Sequence, residues 1–172
     1  MVRSLRSFRS VRGAWRFPIV VAVGVIVASS CSSSSSSGGG GTSLAATIWV
    51  QNFKYNDVPA SFPSGVVELL FQNRESFPIT HEMILKALPS GDTAQDIIDS
   101  AKVPGCEGGG PCETQYLAFG EIAGVDTGAT LSNVFDLPPG NYFFACWETG
   151  TVSGGTGPPH ASKGMVYTFK VT

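Results

Sequence analysis

Three side chains that bind soft metal ions follow one another in the last third of the sequence. Cys146 lies in a strand-like run of aromatic residues, His160 follows two prolines, and Met165 opens a further strand-like run. A thiolate, an imidazole and a thioether are soft ligands that select copper, whereas zinc prefers four strong ligands and methionine is a poor one. The only other histidine of the chain is His81. The sequence therefore predicts one mononuclear copper site with the ligands His81, Cys146, His160 and Met165.

The cysteine count gives Cys146 a reason to be unpaired. The chain has four cysteines, of which Cys31 belongs to the export segment described below. Cys106 and Cys112 bracket a short glycine-rich stretch that is flexible enough to close, so we expect these two to form a disulfide. A free thiol outside the cytoplasm has a reason to persist if it binds a metal. Two alternatives stay open: Cys146 is an inert buried thiol, or it pairs with one of the other two.

The N-terminal region has the pattern of an export signal. Five arginines and no acidic residue occupy the first sixteen positions, and the uncharged apolar run 17–28 is short for a membrane span. The residues Ala28-Ser29-Ser30-Cys31 resemble the lipobox of bacterial lipoproteins, which implies that Cys31 carries a lipid. We expect a signal peptide over 1–30, the lipidation site and a flexible Ser/Gly-rich tether over 31–43, and a globular domain over 44–172. The alternative is an ordinary cleaved signal in which Cys31 is incidental.

Charge and motifs exclude several classes of function. Residues 31–172 hold six Lys plus Arg against thirteen Asp plus Glu, a net charge of −7. Such an acidic surface argues against nucleic acid and suits a basic partner or a cationic metal donor. The sequence has no Gly-x-Ser-x-Gly elbow, phosphate-binding loop or dinucleotide fingerprint. We therefore expect a protein that is not an enzyme.

The elements that must position the ligands are predicted to be strands. Branched and aromatic residues dominate 47–51 and 65–71, polar and apolar residues alternate over 129–137, and Tyr142, Phe144 and Cys146 share one face of a strand. His81 ends another strand-like run. A short helix is expected near 92–102, where Thr93 and Asp96 occupy capping-box positions. The fold class is all-β, an antiparallel sandwich with one inserted helix.

The order of these residues resembles that of the cupredoxins, most closely their plastocyanin-like branch. The matching motifs are Phe71-Gln72-Asn73 leading to His81, Leu137-Pro138-Pro139-Gly140-Asn141-Tyr142 leading to Cys146, Pro159-His160, and Gly164-Met165. The tyrosine four residues before the cysteine and the methionine five residues after the histidine match the family's spacing. The resemblance covers most of 45–172, and it departs from the family in the thirteen residues between Cys146 and His160.

The resemblance implies a Greek-key β-sandwich with one copper ion, held by two histidines, a cysteine and a weak axial methionine, that transfers single electrons. Together with the lipobox-like motif before Cys31, it implies an electron carrier that is lipid-anchored to the extracytoplasmic face of a bacterial membrane, and we expect a monomer. His160 would be the exposed edge through which a redox partner exchanges electrons. Two alternatives remain: a protein that stores copper or delivers it to an acceptor, and a metal-free cupredoxin-like interaction domain.

The lipid anchor gives a direct prediction. The variant Cys31→Ala lacks the sulfur that would carry the lipid, so we expect it to leave the membrane fraction and appear in the soluble extracytoplasmic fraction. Fractionation followed by immunodetection measures this. A Cys31→Ala protein that stays with the membranes would contradict the anchor.

Overall fold

A computed structural model describes residues 42–106, 110–150 and 155–172. The predicted signal peptide, the lipidation site Cys31 and nearly all of the tether lie outside these residues and stay predictions. Within the described residues, no helix is both long and apolar enough to cross a membrane.

In the part of the chain that the structure describes, nine strands form two sheets that pack as a β-sandwich. The four-stranded sheet has the order β2 (Lys54–Asn56), β1 (Ser43–Gln51), β4 (Gly65–Asn73) and β7 (Thr130–Leu137). The five-stranded sheet has the order β3 (Ser61–Phe62), β9 (Val166–Val171), β8 (Gly140–Ala145), β5 (Thr80–Ala87) and β6 (Ala118–Asp126). The strands predicted over 47–51, 65–71 and 129–137 and the strand of Tyr142 and Phe144 are thus confirmed, together with the all-β class.

Both sheets are mixed, so two strand pairings depart from the antiparallel arrangement that the sequence predicts. β1 pairs with β4 in parallel, and β3 pairs with β9 in parallel, whereas the remaining neighbours are antiparallel. The chain crosses to the other sheet at β3 before it returns as β4. The alternation of apolar and polar residues is the same for either strand direction, which is why the sequence pattern did not distinguish them.

The five-stranded sheet is covered on both faces. Tyr142, Phe144 and Cys146 point into the core between the sheets, while Phe143 and Trp147 belong to a second apolar cluster on the outer face. This explains the continuous apolar run over these residues, because a strand buried on both sides has no solvent face on which to place polar groups.

The outer cluster forms under the inserted helix, α1 (Ala94–Ser100). The predicted capping box is present: the backbone N–H of Thr93 donates to Asp96 Oδ2 at 2.8 Å, and that of Asp96 donates to Thr93 Oγ1 at 3.4 Å. Ile97 is the buried residue of the helix. A second, one-turn helix, α2 (Pro111–Thr114), was not predicted.

A disulfide joins Cys106 to Cys112, as the sequence predicted, and Cys146 is free and buried. Both half-cystines are buried in the outer cluster with Trp147 and Ala161. The cross-link therefore joins Cys106, which follows α1, to Cys112 in α2 at the back of the five-stranded sheet.

The double variant Cys106→Ser/Cys112→Ser tests this closure. The bond closes a loop of sequence separation 6, and cross-links of this size stabilise by about 2–3 kcal/mol, mainly by restricting the unfolded chain. We expect the free energy of unfolding, measured by urea denaturation, to fall by about that amount. An unchanged unfolding midpoint would show that the disulfide does not constrain the chain.

Candidate metal centre

The three strong candidate ligands meet at one end of the sandwich. His81 is the second residue of β5, Cys146 directly follows β8, and His160 is the first residue of a 3₁₀ turn, His160–Lys163. β5 and β8 are antiparallel neighbours, paired at Ile84 and Ala145, so that the start of one strand lies beside the end of the other. The prediction that His81 ends a strand-like run is wrong: it lies near the start of one, because the break at 76–78 precedes it.

The ligand atoms form a nearly equilateral triangle. His81 Nδ1 lies 3.0 Å from His160 Nδ1, and Cys146 Sγ lies 3.4 Å from His160 Nδ1 and 3.7 Å from His81 Nδ1. All three side chains are 0% exposed. A point in the plane of these atoms lies about 2 Å from each, which is the range of bonds between a metal and imidazole nitrogen or thiolate sulfur. Three residues from distant parts of the chain thus converge as a metal site would require.

The far nitrogen of each imidazole is held by an acceptor. His81 Nε2 donates to Glu75 Oε1 at 3.2 Å, and His160 Nε2 donates to the carbonyl of Gly150 at 2.9 Å. Since each Nε2 carries the proton, each Nδ1 presents its lone pair to the triangle. Two lone pairs therefore face each other at 3.0 Å, and one thiol proton can satisfy only one of them. A cation between them removes this conflict.

Burial keeps the imidazoles neutral. Desolvation lowers the pKa of His160 to about 4, and it also lowers the pKa of His81, although Glu75 opposes that shift. Both rings are thus unprotonated at neutral pH, as metal binding requires. Burial raises the pKa of the Cys146 thiol, so that a metal must displace its proton. The backbone N–H of Glu82 donates to Cys146 Sγ at 3.4 Å and favours the thiolate.

Met165 lies beside the triangle, fixed by its backbone. Its carbonyl accepts from the N–H of Cys146 at 3.3 Å, and its own N–H donates to the carbonyl of His160 at 3.2 Å. The side chain is buried in the core cluster that contains Cys146. The role of Met165 as a fourth, weak ligand stays a prediction. Met83 is buried in the same cluster, which agrees with a core-filling role.

The long segment between Cys146 and His160 closes through backbone pairing. The N–H of Ala161 donates to the carbonyl of Cys146 at 2.7 Å, and that of His160 donates to the carbonyl of Glu148 at 2.9 Å. Thr149 and Pro159 form an antiparallel bridge. The two ends of the segment therefore run side by side, and this pairing returns the histidine to the cysteine whatever the number of residues in between.

His160 is fully buried, so the prediction that it forms an exposed edge is wrong. Two contacts account for this. The extra residues of the loop supply the Gly150 carbonyl that caps Nε2, and the ring of Phe53 packs edge-on against the imidazole with 5.0 Å between ring centroids. Neither contact could be predicted from the sequence, because Phe53 is remote from His160 in the chain and Gly150 lies in a glycine-rich loop.

Two acidic residues of the site, Glu75 and Glu82, were not predicted from the sequence. Glu75 is buried, and its carboxylate accepts from the backbone N–H groups of Asn52 and Phe53, each at 2.9 Å, as well as from His81. These hydrogen bonds outweigh desolvation and lower the pKa of Glu75. Its position two residues after Asn73, whose side chain accepts its N–H, is a turn signal but not a specific one.

Glu82, which follows His81, is the second. Its Oε1 accepts from the N–H of Trp147 at 2.7 Å, and its own carbonyl accepts from the hydroxyl of Tyr55 at 2.7 Å. Burial raises the pKa of this carboxyl to about 8, although the Trp147 hydrogen bond lowers it, and nearby carboxylates add to the rise. Glu82 follows His81 and Trp147 follows Cys146, so their hydrogen bond joins the backbone segments of two candidate ligands.

Comparisons with known proteins bear on the fold. No family model matches the chain, and no curated protein sequence matches it. A solved structure of dithionite-reduced auracyanin from Roseiflexus castenholzii is 19% identical, with 77% of this chain and 99% of that chain covered and a TM-score of 0.53. A structure of auracyanin B is 23% identical, with 77% and 91% covered and a TM-score of 0.50. These likenesses show the cupredoxin fold, which confirms the predicted fold class.

The raised pKa of Glu82 predicts a pH-dependent stability in the metal-free protein. The carboxyl has an ordinary pKa of 4.5 when unfolded and about 8 when folded, so the folded state binds more protons between these values and loses stability as the pH rises through them. The variant Glu82→Gln keeps the acceptor for Trp147 and has no proton to lose. Relative to wild type, it should gain stability on the order of a few kcal/mol between pH 4.5 and 8. Denaturation at several pH values measures this, and parallel stability curves for the two proteins would contradict it.

Proposed function

We propose that this chain is an extracytoplasmic electron carrier that binds one copper ion through His81, Cys146 and His160, with Met165 as a weak axial ligand. The observation that carries the proposal is the pair of imidazole lone pairs held 3.0 Å apart beside a buried thiol. Two imidazoles and a thiolate in a trigonal arrangement, with a distant thioether, are the donor set of electron-transfer copper sites. A bound copper ion supplies the one-electron couple between Cu(I) and Cu(II).

The surrounding residues support this role by fixing the donors before any ion binds. Glu75 and the Gly150 carbonyl hold the two imidazoles, and the Glu82 N–H holds the sulfur. Held in this way, the donor atoms keep one arrangement in both oxidation states. Among the described residues, all three candidate ligands are 0% exposed, so that none of them offers a substrate an accessible position. We therefore propose that the protein catalyses no reaction of its own.

The disulfide supports a place outside the cytoplasm. Disulfides persist in oxidising compartments and are rare in the cytosol. The Cys106–Cys112 bond is buried in the outer cluster. We propose that the mature protein is a monomer attached to the extracytoplasmic face of a membrane through a lipid on Cys31. Its partner is a redox protein that exchanges one electron at a time.

The other two candidate functions have less support. Storage or delivery of copper requires that the ion exchange with a donor or acceptor, and ligands that are 0% exposed hinder this. A metal-free interaction domain has no use for two neutral imidazoles whose lone pairs oppose each other in the core.

Copper loading tests the proposal. The purified protein with Cu(II) should show intense visible absorption from thiolate-to-copper charge transfer, and Cys146→Ser should abolish it because serine supplies no thiolate. The matched control is Cys106→Ser/Cys112→Ser, which removes two sulfurs away from the triangle and should keep the colour. A colourless wild-type protein without bound copper would overturn the proposal, and Cu(I) binding without reversible redox cycling would favour delivery.

A further inference from the structure

We propose that Phe53 is the route by which electrons pass between the metal centre and the surface, and that this surface receives an acidic face of the redox partner. The inference rests on the proposed function. One electron moves between bound copper and a partner that is a one-electron donor or acceptor, and no bond forms or breaks. Neither imidazole reaches solvent, so an electron must pass between the metal centre and the surface through another side chain.

Phe53 connects both imidazoles to the surface. Its ring packs edge-on against His81 and His160, with centroid distances of 5.5 Å and 5.0 Å. Both histidines are 0% exposed, whereas Phe53 is partly exposed. The ring of Phe77, which is 38% exposed, lies 6.2 Å from that of Phe53 and extends the apolar surface. The Phe53 ring thus connects the buried imidazoles to solvent, a role that an exposed histidine ligand would otherwise have.

The backbone of Phe53 is strained, and the site maintains the strain. Asn52 and Phe53 have φ values of 53° and 57° in the turn between β1 and β2. Tight hairpin turns of this kind favour Asn-Gly, because a bulky residue is strained in the left-handed backbone conformation. The carboxylate of Glu75 accepts the N–H groups of both turn residues and holds the conformation. Phenylalanine at a position suited to glycine points to a function for its ring.

The charge around Phe53 contrasts with that of the whole domain. The ammonium of Lys163 lies 4.4 Å from the centroid of the Phe53 ring, and Lys163 is exposed. Lys54 and Arg74, the chain neighbours of Phe53 and Glu75, are exposed as well. Lys54 and Lys163 thus lie at this turn, and the guanidinium of Arg74 lies near it, over the ring of Trp49 in β1, although 31–172 carry a net charge of −7. An apolar centre with a basic rim fits an acidic partner, in contrast to the basic partner that the net charge suggests.

Electron-transfer kinetics of the copper-loaded protein test the route. Stopped-flow rate constants are measured for oxidation of the Cu(I) protein by ferricyanide, an anion, and for reduction of the Cu(II) protein by hexaammineruthenium(II), a cation. Phe53→Leu should lower the rate constant with ferricyanide several-fold, while the visible spectrum and the reduction potential stay unchanged. Phe53→Tyr keeps the ring and should react like wild type. The matched control is Phe119→Leu, since Phe119 is a partly buried aromatic residue near the far end of β5, where Ala118 pairs with Lys86.

Charge reversal tests the acidic partner. Lys163→Glu should slow the reaction with ferricyanide about tenfold and accelerate that with hexaammineruthenium, whereas Lys170→Glu, at the edge where β9 pairs with β3, should change neither by as much. If Phe53→Leu reacts at the wild-type rate, or if Lys163→Glu and Lys170→Glu act alike, the inference is wrong.

A titration without copper separates this inference from the proposed function. NMR spectra of the metal-free protein with poly-L-glutamate should show amide shift changes at Phe53, Lys54, Arg74 and Lys163 that vanish at high salt. Changes at other surfaces, or none, would overturn the docking face. A protein that binds no copper but binds poly-L-glutamate at this turn would refute the proposed function alone.

Discussion

The carboxylate of Glu75 is the interaction on which the rest of the site depends. It is buried, and it accepts hydrogen bonds from two backbone N–H groups of the turn between β1 and β2 and from His81 Nε2. Without this acceptor, the buried His81 Nε2–H would be left unsatisfied, at a cost of about 1–3 kcal/mol, and the two part-buried N–H groups of the turn would lose their partner. The same group therefore decides which nitrogen of His81 faces the metal and where the Phe53 ring lies. One buried charge links the four-stranded sheet to a ligand of the five-stranded one.

The metal centre is also supported from behind. Trp147 and Ala161, which follow Cys146 and His160 in the chain, pack in the outer cluster with α1 and the disulfide. The ligands thus lie on the inner side of backbone segments whose other side is anchored to an apolar layer. Close packing of this kind resists displacement, because neighbouring side chains leave no space into which a ligand could move.

Much of this arrangement could be predicted from residue types and spacing. Strand alternation, the Thr93–Asp96 capping box and the Cys106–Cys112 pair are local signals, and each corresponds to an observed feature. The meeting of His81, Cys146 and His160 followed from the scarcity of histidine. The parallel pairings, the burial of His160 and the roles of Glu75 and Phe53 could not be predicted in this way. They depend on contacts between segments far apart in the chain, which leave no periodicity in either segment.

The sequence distances within the centre have a consequence for folding. His81 and Cys146 are separated by 65 positions in the chain, and His81 and His160 by 79. Strand β1 pairs in parallel with β4, and between them the chain forms β3 in the other sheet. Non-local pairings of this kind form slowly, because the entropy of loop closure is lost before the contacts form. The triangle of donors is therefore a late product of folding. An ion that binds there acts on a completed chain, where it can slow unfolding but cannot guide the early steps.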